Sequence, residues 1–105
     1  MDLSLQAIDD LGLEHLQPLQ RLERLDVLYA VGFAGPNITN QGMQALRGLT
    51  NLRHLNLIGA KIDDAALDQL AELQHLEFLQ LANTYVTEKG IRTLQAVHPA
   101  CQIKP

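Results

Sequence analysis

The stretch LRHLNLIGAKI, Leu52 to Ile62, carries apolar residues at 52, 55, 57 and 62. Gaps of three, two and five fit neither a helical stripe nor the alternation of a strand. Immediately afterwards, in IDDAALDQLAEL, the apolar positions 62, 66, 67, 70 and 73 take a helical spacing. The pattern therefore predicts a turn, a short strand with its leucines on one side, a bend, and a helix.

The same pattern recurs 24 residues later. Leu49, Leu52, Leu55, Leu57, Ile62, Leu67 and Leu70 superpose on Leu73, Leu76, Leu79, Leu81, Val86, Ile91 and Leu94. Upstream, Ile38, Met43, Leu46 and Leu49 keep that offset to Ile62, Leu67, Leu70 and Leu73. Before Ile38 the best offset becomes 27, pairing Leu22, Leu25 and Leu28 with Leu49, Leu52 and Leu55, as if three residues were inserted within YAVGFAGPNI. At 27, Leu11, Leu16 and Leu19 pair with Ile38, Met43 and Leu46.

One 24-residue unit cannot bury its own apolar face, so units of this kind must stack. The expectation is a single domain over residues 1–105, with a partial repeat at 1–21, repeats near 22–48, 49–72 and 73–96, and a C-terminal capping strand at 97–105. Five short parallel strands are expected near Leu3, Val27, His54, Phe78 and Gln102, with about four helices behind them. Thr39, Asp63 and Thr87 recur before the helical segments, and all three are types whose side-chain oxygen caps a helix N-terminus.

The pattern LxxLxLxxTxVTEKGIRTL at 76–94, with ITNQGMQAL and IDDAALDQL, resembles leucine-rich repeats of the intracellular, cysteine-containing and ribonuclease-inhibitor-like kind. The resemblance implies an α/β right-handed solenoid, with strands on a concave face and helices on a convex one. It also implies a concave face that binds proteins. One departure is plain: Ala60 and Thr84 stand where that family places Asn or Cys after the strand, so the side-chain ladder between turns is missing or replaced.

With the leucines inward, the residues between them face outward in columns. The expected columns are Val27, His54, Phe78 and Gln102; Tyr29, Asn56, Gln80 and Lys104; and Val31, Ile58 and Ala82. Of the four aromatics, Tyr29 and Phe78 fall in these columns, and Phe33 and Tyr85 in the bends that follow strands. Bend aromatics are expected first to cover gaps between turns, and secondly to flank an interface. The candidate protein-binding set is Val27, Tyr29, Val31, Phe33, His54, Asn56, Ile58, Phe78, Gln80 and Tyr85.

Composition narrows the function. The chain is 47% hydrophobic, 19% charged and only 4% aromatic, with a formal charge of −4. A mildly acidic chain whose eight basic residues form no stripe argues against nucleic acid or an anionic membrane as partner. The start MDLSLQAIDDLG has no basic segment or apolar run, so no signal peptide is expected. A single Cys101 allows no internal disulfide and suits a reducing, cytoplasmic setting.

Candidate chemistry is thin. His98 and Cys101 in HPAC suggest a thiolate–imidazole pair, but nothing orients the histidine. The pairs Asp63-Asp64 and Asp9-Asp10 read as a helix cap with its first turn and as a solvated bend. No enzyme activity, cofactor or metal is expected. The leading expectation is a non-catalytic module binding a protein through its concave face. The alternatives are an inhibitor or immunity protein that blocks a basic toxic enzyme, and a structural end of a longer array that self-associates through its N-terminal edge.

Overall fold

Short segments with aliphatic residues at alternate positions have one side to bury, and five short strands assemble into one sheet. The computed structural model describes residues 2–6, 10–28 and 38–105. Strands β1 (Asp2–Gln6), β2 (Arg24–Leu28), β3 (His54–Asn56), β4 (Phe78–Gln80) and β5 (Gln102–Lys104) lie in chain order, each parallel to the next. The helices are α1 (Asp10–Glu14), α2 (Asn40–Met43, prolonged by a 3-10 turn over Gln44–Leu46), α3 (Asp64–Leu70) and α4 (Glu88–Val97). Among the described residues the chain is thus an α/β structure on a parallel sheet. No helix among them is long and apolar enough to cross a membrane.

Strands β3, β4 and β5 each start on the carbonyl of the residue just before the preceding strand. Glu23 O accepts from His54 N at 3.0 Å, Arg53 O from Phe78 N at 3.0 Å, and Glu77 O from Gln102 N at 2.9 Å. Register then sets Leu25, Leu55, Leu79 and Ile103 side by side, the first three fully buried. Leu13, Leu22, Ile38, Met43, Leu49, Leu52, Ile62, Leu70 and Leu73 join a core that, among the described residues, is built mainly from aliphatic side chains, without aromatics. The bends after β3 and β4 turn through a left-handed residue at equivalent places, Gly59 (φ 77°) and Asn83 (φ 60°). These are two of the residue types that tolerate that conformation.

The early register differs from the sequence expectation. Arg24 pairs with His54, and Leu25 with Leu55, a step of 30 residues rather than 27. The strand-to-strand step from β3 to β4 is the expected 24. Leu13 and Leu16, not Leu11, face the core; Leu11 is 64% exposed.

The three anticipated caps are all present. Thr39 accepts from Gln41 N, Asp63 from Ala65 N, and Thr87 from Gly90 N. The first residue of each preceding helix also reaches the next cap. Asp10 accepts from Thr39 N at 2.8 Å and from Thr39 Oγ1 at 2.5 Å. Asp64 treats Thr87 the same way, at 2.7 and 2.5 Å. Between them, Asn40 accepts from Asp63 N at 3.1 Å and donates its Nδ2 to Asp63 Oδ1 at 2.7 Å. A hydroxyl cap meets a carboxylate, and a carboxylate cap meets an amide, so every contact has a donor. Asp10 is therefore a tie between helices and not part of a solvated bend; Asp9 lies outside the described residues.

Those ties need room. A Cβ on Gly42 or Gly90 would come well inside 3.0 Å of the Asp10 or Asp64 carboxylate respectively. The hydrogen bonds from Thr87 hold the Asp64 carboxyl below its ordinary range. A side-chain ladder thus exists at the helix starts, while after the strands Thr84 Oγ1 only donates back to Leu81 O at 2.7 Å.

Candidate functional site

The strand residues between the buried leucines form an open face. His54, Asn56, Phe78 and Gln80 are half-buried, and Gln102 and Lys104 are exposed. By register the first column is Asp2, Arg24, His54, Phe78 and Gln102, and the second runs Asp26, Asn56, Gln80 and Lys104.

At the centre, the rings of His54 and Phe78 stack with centroids 4.5 Å apart and planes 15° from parallel. Beside them Asp26 is only 6% exposed. Arg24 Nε donates to its Oδ2 at 3.0 Å, and His54 Nε2 lies 3.4 Å from its Oδ1. A carboxylate this far out of water requires such partners. In the second column Asn56 Oδ1 accepts from Ile58 N at 3.1 Å, and Gln80 Oε1 accepts from Ala82 N at 3.0 Å. These bonds pin the two side chains to the start of each bend.

The structure brings His54, Asn56, Phe78 and Gln80 together as expected, with Ile58 half-buried just beyond. It corrects Val27. That side chain is fully buried, because β2 is registered so that Leu25 and Val27 point inward and Arg24 and Asp26 take the outward places. Tyr29, Val31 and Phe33 lie outside the described residues. Tyr85 covers no gap: it is 73% exposed, in the bend before α4 and beside Asp63, Asp64 and Thr87, and it belongs to neither column.

Arg24 and Asp26 were missed in the sequence. Their signal was ERLDV, in which they flank Leu25 as His54 and Asn56 flank Leu55.

The His98–Cys101 pair resolves into architecture. His98 is 8% exposed, and its Nε2 donates to Leu70 O at 3.0 Å, since a carbonyl can only accept. Cys101 is buried, and burial pushes its thiol above the ordinary value, the reverse of what a nucleophile needs. Among the described residues no three His, Cys, Asp or Glu side chains are grouped so as to hold a metal ion.

Neither a scan against protein-family models nor a search of the curated proteins gives a match.

Proposed function

We propose that the chain is a non-catalytic, leucine-rich-repeat solenoid that binds another protein through the open face of its sheet. The observation that carries this reading is the His54–Phe78 stack, an aromatic pair left half-buried on a strand face. Aromatic groups in such places concentrate binding energy, because they bury much area for little conformational entropy. The 24-residue recurrence and the chain-order sheet support the solenoid. A single, buried Cys101 supports a cytoplasmic setting.

Phe78→Ala is the test. It should leave the thermal midpoint within a few degrees, because the ring is not in the core, and weaken capture of a partner by about 1–2 kcal/mol or more. Affinity resin bearing wild type and Phe78→Ala would be compared on one cell extract. Equal recovery of the same proteins by both would move the interface off this face.

A further inference from the structure

The hydrogen-bonding character of the second column of the open face is one-sided over β3 to β5, and it bears on the chemistry of the partner. The inference rests on the reading of this face as a protein-binding surface. Asn56 Oδ1 and Gln80 Oε1 are each engaged by a backbone N–H at the following bend. Amide orientation is fixed by this, since an NH2 group in that place would confront another donor. Each side chain therefore turns its NH2 group away from the bend. Next in the same column comes the Lys104 ammonium, also donor-only.

Among the eight column residues of β2 to β5, the one carboxylate is Asp26, which is nearly buried and held by Arg24 and His54. Asp2 adds a carboxylate only at the far end of the first column, on β1. A chain of net charge −4 thus presents donors and a cation along its second column over β3 to β5, while Gln102 in the first column offers both a donor and an acceptor. We propose that this part of the face takes an acidic segment of a protein partner, laid across the strands. Its carboxylates would meet Asn56, Gln80 and Lys104, and an apolar residue would cover Phe78.

A random twelve-residue peptide library displayed on phage supplies the probe. Wild-type protein is the bait, and bound peptides are sequenced and remade for affinity measurement. Net charge alone predicts enrichment of Lys and Arg; the donor column predicts enrichment of Asp and Glu. The decisive variant is Asn56→Asp with Gln80→Glu. It keeps both acceptors of the bend bonds and so keeps the fold, but puts carboxylates where the NH2 groups were. Enriched peptides should lose at least about tenfold in affinity for it. Lys104→Gln, at an exposed position outside the core, should also weaken them, and added salt should weaken them further.

Acidic peptides weakened both by Phe78→Ala and by the double variant support the proposal. Peptides that need Phe78 but are not acidic, or that bind the double variant equally well, overturn the acidic partner and leave the face as an interface. Peptides indifferent to Phe78→Ala, or no enrichment, overturn both.

Discussion

Val27 distinguishes the observed sheet register from the alternative one leucine earlier. In the 27-residue alignment it stands on the open face beside His54; in the fold it is fully buried, its neighbour Leu25 paired with Leu55. Val27→Ala deletes two carbons. At about 0.8 kcal/mol for each buried carbon the transfer term is about 1.6 kcal/mol. A void of up to ~50 Å3, at about 24 cal/mol per Å3, adds up to about 1.2 kcal/mol when neighbours do not close in. The expected loss is therefore about 1.5–3 kcal/mol. At about 4–8 °C per kcal/mol for a domain of this size, the midpoint should drop by roughly 10 °C. Urea unfolding followed by circular dichroism reads the loss, and an unchanged m-value assigns it to the folded state. Val27→Thr, nearly isosteric but carrying a buried hydroxyl, should cost about 1–3 kcal/mol on its own. If both variants fall within about 0.5 kcal/mol of wild type, as surface substitutions do, the register is wrong.

Three further outcomes are expected. Asn40→Asp sets two carboxylates against each other at the start of α3 and should lower the thermal midpoint; adding Asp63→Thr recreates the Asp10–Thr39 pairing and should restore much of the loss. A double-mutant cycle without coupling refutes the matching of caps to ties. Gly90→Ala should destabilise although alanine favours a helix by about 1 kcal/mol, because its Cβ would displace the Asp64 carboxylate; a raised midpoint would show that the tie contributes nothing. In acid, Asp64 and Glu72 lie below their ordinary values of 3.8 and 4.5, through hydrogen bonds from Thr87 and Arg47 respectively. The folded chain binds those protons less tightly than the unfolded chain. Their contribution is then complete above the unfolded values and is lost as pH falls through the folded ones. Urea midpoints should decline below about pH 4, and Asp64→Asn should make that decline shallower; an unchanged slope assigns the acid sensitivity elsewhere.

Strand positions near Leu3, Val27, His54, Phe78 and Gln102 were legible, because leucine at alternate places has one low-cost solution beside parallel neighbours. The caps were legible too, since Thr39, Asp63 and Thr87 are capping types at one recurring place. Early register was not. From Leu13 to Leu28 a leucine stands at every third residue, so a slip of three lays leucine on leucine and hydrophobic pattern cannot object. The slip placed Val27 on the open face and hid Arg24 and Asp26, making that face look more apolar than it is. The ties from Asp10, Asn40 and Asp64 were unreadable for another reason. An acidic or amide side chain in a first helical turn already has a local use beside the helix dipole, and nothing in the linear pattern says it reaches 23 to 29 residues onward.

Among the described residues the sheet keeps chain order, with β1 and β5 as its outer strands. In the proposed solenoid the outer turns should open more often than the middle ones, and a flaw should be felt chiefly by the turns on either side. The His54–Phe78 pair bridges β3 and β4, inside both margins. A partner gripping that pair, as proposed, would meet a surface flanked by strands on both sides and should stay bound while the outer strands open.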